Sequence, residues 1–165
     1  MLNLAGEIKN SNANGPKLRY VLFTQGCSHN PHCEGCQNSH TWSNKPCKLI
    51  SVEEQFEIIK KELPLIKGVT FSGGEPFDQA VELADLAIKL KNIGLNIMCY
   101  TGFTYEQLIE KAILKEPGIG TLLKHIDILV DGKFDINKTD NPGLYRGSSN
   151  QRMLYLSKGK IIKQE

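Results

Sequence analysis

Apolar residues fall along this chain in two rhythms: short continuous runs, and longer stretches spaced by three or four. Arg19 to Gln25 (RYVLFTQ) is β-branched and aromatic and predicts a strand that stops at Gly26. Ser51, with Glu54 three residues on, forms a capping box, and Phe56, Ile58, Ile59 and Leu63 follow at helical spacing before Pro64. Gly68 to Ser72 (GVTFS) predicts a buried strand ended by Gly73-Gly74, and Phe77 to Lys91 predicts a helix with Val81, Leu83, Ala84, Leu86, Ala87, Ile88 and Leu90 as its apolar positions. Leu95 to Tyr100 predicts the next strand. Thr104 and Gln107 form a second capping box, opening a helix over Tyr105 to Lys115 that ends near Pro117-Gly118. A short helix over Ile119 to Lys124, a strand over Ile126 to Val130, and a hairpin of Met153 to Ser157 with Lys160 to Lys163 around Lys158-Gly159 complete the pattern.

Alternating strands and helices predict an α/β fold with a mostly parallel sheet, in which ligands bind beyond the carboxyl ends of the strands. No repeat and no long linker divides the chain, so residues 1–165 are read as a single domain. A closed eightfold barrel takes about 250 residues, so 165 residues predict an open, partial barrel with a wide mouth.

Composition changes this picture little: 40% hydrophobic and 23% charged residues are ordinary for a globular protein. Twenty Lys and Arg against 18 Asp and Glu leave a net charge of +2, too little for a broad basic field, so no nucleic-acid partner is expected. No run approaches the roughly 18 apolar residues of a membrane span, and residues 1–14 lack the apolar core of a signal peptide. The expected address is the cytoplasm. In a reducing compartment the five cysteines, three of them within ten residues, point to metal ligation over disulfides.

Those three, Cys27, Cys33 and Cys36, have the spacing C-x5-C-x2-C on a loop after the first predicted strand. Zinc wants four ligands, and His29, His32, His40 or Cys47 is available to complete such a set. Three cysteines alone can instead hold three irons of a cubane and leave the fourth open to an exogenous group. Ser72-Gly73-Gly74-Glu75-Pro76 ends the second predicted strand. Its glycines permit close backbone approach to a ligand, and Glu75 can accept hydrogen bonds from an ammonium group. By itself it is equally an ordinary strand-to-helix turn with a first-turn Glu.

Taken together, these motifs resemble the radical S-adenosylmethionine enzymes and, more narrowly, the activating proteins of anaerobic (class III) ribonucleotide reductases. The resemblance extends over Asn14-Gly15-Pro16, Phe23 to Cys27, Gly35-Cys36 with Asn38 and Thr41-Trp42, Ser72 to Pro76, Tyr100 to Thr104, Leu129 to Phe134 and Arg146 to Gln151. It implies an open radical S-adenosylmethionine barrel, a 4Fe-4S cluster on Cys27, Cys33 and Cys36, and S-adenosylmethionine near Gly35, Gly73, Gly74, Glu75 and Asn150. The implied activity is reductive cleavage to a 5′-deoxyadenosyl radical that makes a glycyl radical on anaerobic ribonucleoside-triphosphate reductase. The implied electron source is a low-potential donor such as flavodoxin or ferredoxin. An activase of another glycyl radical enzyme, of formate lyase type, and a noncatalytic zinc or iron–sulfur module are the alternatives. The usual family spacing is C-x3-C-x2-C, so this chain carries two extra residues around Asn30-Pro31, and Gly35 replaces the aromatic residue common before the third cysteine.

Structural roles are expected for Cys47 and Cys99 as small buried hydrophobes and for Trp42, packed under the cysteine loop, and structural or solvent-facing positions for His40 and His125. Asp131, at a strand's carboxyl end, fits either a site residue or an Asp-Gly turn. The polar run Arg146 to Arg152 is expected to line the S-adenosylmethionine or peptide site.

Overall fold

Two strands that the apolar pattern does not mark join the predicted ones. The computed structural model describes residues 1–165. In it β1 (Leu2–Ser11) pairs antiparallel with β2 (Arg19–Thr24) and with β3 (Lys48–Ile50). The chain continues through α1 (Val52–Lys60), β4 (Gly68–Gly73), α2 (Ala80–Asn92), β5 (Asn96–Tyr100), α3 (Tyr105–Ile113), α4 (Ile119–His125), β6 (Ile128–Asp131), β7 (Arg152–Ser157) and β8 (Lys160–Gln164). Both capping boxes form as expected: the Ser51 and Thr104 hydroxyls accept from the Glu54 and Gln107 amides, and those side chains accept from the cap amides in return. The predicted Phe77 to Lys91 helix begins instead as a 3-10 turn, Pro76–Gln79, with α2 following.

The protein is a mixed α/β structure with one eight-stranded sheet in the order β3-β1-β2-β4-β5-β6-β7-β8. Parallel pairing joins β2, β4, β5 and β6, each crossover carrying a helix. The other four of the seven pairings are antiparallel, which corrects the expectation of a mostly parallel sheet. A parallel neighbour needs a crossover of a dozen or more residues, usually helical. After β6 the chain supplies only a 3-10 turn, Ile136–Lys138, and returns antiparallel as β7. The edge strands β3 and β8 do not pair with each other, so the sheet is open.

Strand alternation gives the sheet two different faces. Leu22, Phe71, Ile97, Leu129 and Leu154 join Leu83, Leu86, Leu90, Leu108 and Leu122 of the helices in the main core. The opposite face carries a smaller cluster of Met98, Ile128, Val130 and Met153, flanked by Tyr100, Tyr145 and Tyr155. No helix is long and apolar enough to cross a membrane.

Candidate functional site

Because β2, β4, β5 and β6 run parallel, the segments that follow them emerge at one end of the sheet, the end where such sheets hold ligands. There they enclose a cavity of about 670 Å³, within the range of small-molecule sites. Cys27, Cys33 and Cys36 all line it, with Gly73 and Gly74 after β4, Thr101 and Gly102 after β5, and Gly132 after β6. Asn14, Phe23, Tyr100, Phe134, Arg146 and Gln151 close the remaining walls. No Asp or Glu lines the cavity, and Arg146 is its one Lys or Arg.

The cysteine loop is pinned at several points. Gly26 and Cys27 amides donate to Thr41 and Trp42 carbonyls at 2.7 and 3.3 Å, so the short turn Ser39–Thr41 backs the first cysteine. The two extra residues do not hang free. His32 stacks on Trp42 at 4.2 Å with rings 8° from parallel, and its Nε2 lies 3.1 Å from the Cys27 carbonyl oxygen. Lys133 Nζ donates to the Pro31 carbonyl at 3.0 Å, and the Ser28 amide and hydroxyl donate to Asp78 at 2.8 and 2.7 Å. Trp42 thus packs on the loop as expected.

The glycines at 73 and 74 have a steric reason. Gly73 has φ +103°, and a Cβ there would lie 2.6 Å from the Thr24 carbonyl oxygen. A Cβ on Gly74 would overlap the Gly26 carbonyl oxygen and lie 2.6 Å from its carbon. This contact is locked by the Glu75 amide donating to Gly26 O at 2.8 Å and the Gly74 amide to Thr24 O at 2.9 Å. The motif therefore presses the cysteine loop against β4 while leaving bare backbone in the cavity wall.

Glu75 stands beside the cavity, fully buried, and its carboxylate is turned inward to the protein. Oε1 accepts from the Phe77 amide at 3.0 Å and the Thr101 hydroxyl at 2.9 Å; Oε2 accepts from the Gly102 amide at 2.9 Å and His29 Nε2 at 2.7 Å. Those four bonds use its acceptor capacity. Gly35, at φ +69°, packs on Ile136 and does not line the cavity. Asn150 is also outside the lining; its Nδ2 donates to the Lys133 carbonyl at 2.8 Å, next to the wall residue Phe134.

The rest of the carboxy-terminal run divides. Arg146, Gly147 and Gln151 reach the cavity, and Gln151 braces it by accepting from the Gly147 amide at 2.8 Å and donating to the Gly132 carbonyl at 3.0 Å. The Arg146 Nη1 meets carbonyl oxygens of Glu165 at 3.1 Å and Gln151 at 3.5 Å, and its buried Nε has no partner. Asp131 is resolved as structural: it is buried, accepts from the Tyr105 amide at the start of α3 at 2.7 Å, and pairs with Arg152, which Glu106 also binds. Its bonds to Arg152 push that guanidinium upward, followed by those of Glu106. Cys99 is buried as expected, whereas Cys47 is exposed. Sequence reasoning offered His29 only as a possible zinc ligand and did not pick out Thr101 and Gly102 as site residues; the signal for these two is position, at the end of a parallel strand, β5, next to β4.

Burial pushes the Cys27 thiol up to about 11, and burial likewise raises Cys33. Backbone amides oppose the rise, that of His29 at Cys27 and that of Phe134 at Cys33. Thiolate ligation here therefore depends on a bound cation's own charge. No three Cys, His, Asp or Glu side chains converge tightly enough to hold one metal ion. A cubane makes a different demand, one sulfur on each of three separate irons, and the all-thiol donor set suits iron–sulfur chemistry.

That donor set has a counterpart among known proteins. Residues 13–154 match the model of a family described as a 4Fe-4S single cluster domain, an iron–sulfur class. Relatives named anaerobic ribonucleoside-triphosphate reductase-activating protein occur in Vibrio cholerae (36% identical, covering 84% of this chain and 88% of the relative) and in Enterobacteria phage T4 (32%, with 85% of each covered). The Escherichia coli protein of that name is 29% identical over 87% of this chain and 92% of its own. The chain belongs to this family of anaerobic ribonucleoside-triphosphate reductase-activating proteins, within the 4Fe-4S single cluster domain group.

Proposed function

We propose that this protein is a radical S-adenosylmethionine activase that generates a glycyl radical on anaerobic ribonucleoside-triphosphate reductase. One observation carries the reading: the three cysteines and the Gly73-Gly74 backbone face a single open cavity at the carboxyl ends of the parallel strands. Cys27, Cys33 and Cys36 would hold the 4Fe-4S cluster. When bound, the cluster supplies one electron to the sulfonium of S-adenosylmethionine, releasing methionine and the 5′-deoxyadenosyl radical that takes a hydrogen atom from the target glycine.

The chain's own residues bind and orient. Bare backbone at Gly73 and Gly74 offers carbonyls to the ligand's ammonium group, and Glu75 contributes by fixing that turn. Arg146, unopposed by any carboxylate in the wall, suits the ligand's carboxylate. Phe23, Tyr100, Phe134 and Tyr145 offer apolar surface for the adenosyl moiety and for excluding water. Gly35 and Asn150 act through the loops they hold. The central parallel strands support the partial-barrel reading, and the open mouth leaves room for a flexible glycine-bearing segment of the reductase. The electron comes from a low-potential donor of flavodoxin or ferredoxin type, and residues 1–165 act as one domain in the cytoplasm.

The test is anaerobic reconstitution with iron and sulfide, dithionite reduction, and addition of S-adenosylmethionine with and without the reductase. Release of 5′-deoxyadenosine and a glycyl radical signal on the reductase are expected. A loaded chain that forms neither overturns the reading.

A further inference from the structure

Five residues other than glycine have a positive φ, and Tyr145, at φ +60°, is the one of them that lines the cavity. A bulky side chain is disfavoured in the left-handed region, and such positions persist where surrounding contacts enforce them. The enforcing contact comes from the sheet: the hydroxyl of Tyr100, the last residue of β5, donates to the Tyr145 carbonyl at 2.7 Å. Both tyrosines also pack against the cluster of Met98, Ile128, Val130 and Met153. A central parallel strand thus grips the loop before β7 by its backbone.

The next residue along that loop is Arg146. Its two hydrogen bonds both leave from Nη1, to the carbonyl oxygens of Glu165 at 3.1 Å and Gln151 at 3.5 Å. Its Nε is buried without a partner, and no Asp or Glu lines the cavity to supply one. Nε and Nη2 together form an edge of the guanidinium suited to taking a carboxylate through two parallel bonds. Gly143, at φ +88°, makes room for that edge: a Cβ there would overlap Nη2 and lie 2.9 Å from Nε. A missing side chain at 143 and a held carbonyl at 145 therefore fix where the guanidinium lies.

We propose that Tyr100 is a positioning residue: by holding the Tyr145 carbonyl it sets the Nε–Nη2 edge of Arg146 in the cavity wall, ready for the carboxylate of the bound small molecule. The inference rests on the reading of that molecule as S-adenosylmethionine. The Tyr100 hydroxyl acts through the Tyr145 peptide, where its single proton is engaged.

Equilibrium dialysis measures S-adenosylmethionine binding, without turnover, to the iron–sulfur-loaded and unreduced wild type, Tyr100→Phe, Arg146→Gln and the double variant. Phenylalanine keeps the ring and removes only the hydroxyl. Arg146→Gln loses a charge-assisted pair and should raise Kd by roughly tenfold or more. Tyr100→Phe should raise it by roughly threefold or more. The double variant should bind as Arg146→Gln does, because the hydroxyl has nothing left to position. The proposal is overturned if either single variant binds as wild type does, or if the two effects multiply in the double variant as independent contributions would. Where a variant takes up less iron than wild type, the metal-free chains decide by nitrogen-15 NMR of the Arg146 Nε–H, identified as the signal missing from Arg146→Gln. Slow exchange in wild type that quickens in Tyr100→Phe supports the proposal; equal exchange in both overturns it. A loaded wild type that binds no S-adenosylmethionine refutes the functional reading instead, and the NMR comparison still judges the role of Tyr100.

Discussion

Gly74→Ala tests whether the cysteine loop is held in place by direct backbone contact. The added methyl would overlap the Gly26 carbonyl oxygen and lie 2.6 Å from the Gly26 carbonyl carbon. Neither side yields easily: the Gly74 amide is bonded to Thr24 O at 2.9 Å and the Glu75 amide to Gly26 O at 2.8 Å. The obstacle is backbone, not the free end of a flexible side chain, so the methyl is accommodated only by parting the loop from β4. Overpacking of this kind costs about 1–3 kcal/mol. Loss of the Glu75–Gly26 bond adds about 1 kcal/mol. For a chain of 165 residues each kcal/mol lowers Tm by about 2–4 °C, so the metal-free variant is expected to melt at least about 4 °C below wild type. Gly6→Ala is the control: a Cβ there meets nothing within 4 Å, and the change should stay within about 0.5 kcal/mol. Circular dichroism melts of the metal-free proteins, followed by iron per chain after reconstitution, measure both consequences. Gly74→Ala melting alongside Gly6→Ala with full iron uptake would refute the argument.

Three further outcomes are expected. Alanine at Cys27, Cys33 or Cys36 should each cut iron uptake by more than half, while alanine at Cys47, which is exposed and outside the cavity, leaves it at wild-type level; colorimetric iron and sulfide assays decide. The chain has one tryptophan, Trp42, in the wall shared with the three cysteines, so cluster loading should quench most of its fluorescence; undiminished emission from a loaded sample contradicts the placement. Glu7 sets an acid limit. Burial works to raise its carboxyl, but hydrogen bonds from Lys48, Tyr20 and Gln55 outweigh that and hold it below its ordinary value of 4.5. A depressed folded pKa gives stability that is present above the unfolded value and lost as pH falls through the folded one. Tm should therefore decline below about pH 4.5, and Glu7→Gln should flatten part of that decline; an identical slope in the variant removes Glu7 from the account.

What the amino-acid pattern reveals depends on how far apart the partners are. The capping boxes at Ser51 and Thr104 are legible because each is closed within three residues. The hairpin around Lys158-Gly159 is legible for the same reason. β1 is not: after Leu2 and Leu4 its residues from Glu7 to Asn10 are polar except Ile8, and this half is strand because β2 offers backbone partners along it, while β3 pairs only with Leu2 to Leu4. Glu75 shows the same limit at the site. Its Gly-Gly-Glu context is visible, yet its direction is set by His29, Thr101 and Gly102, which reach it through the folding of the loop and the registers of β4 and β5.

The parallel centre and the antiparallel margins have separate consequences for the chemistry. Parallel pairing in register, Thr24 with Gly73 and Phe71 with Cys99, delivers the cysteine loop, the glycine turn and Thr101-Gly102 to one end of the sheet. That juxtaposition follows from alternating strands and helices, so the location of the site was implied even where its contacts were not. The antiparallel strands add coverage: β7 brings Arg152 to Asp131, fixing the start of α3, and the segment before it carries Arg146 and Gln151 into the cavity wall. Lengthening the cysteine loop by two residues around Asn30-Pro31 is tolerable in this frame because the loop is held on both sides of them and at Pro31 itself. His29 meets Glu75, His32 stacks on Trp42, and the Pro31 carbonyl accepts from Lys133, so the longer loop stays anchored to the protein along its length.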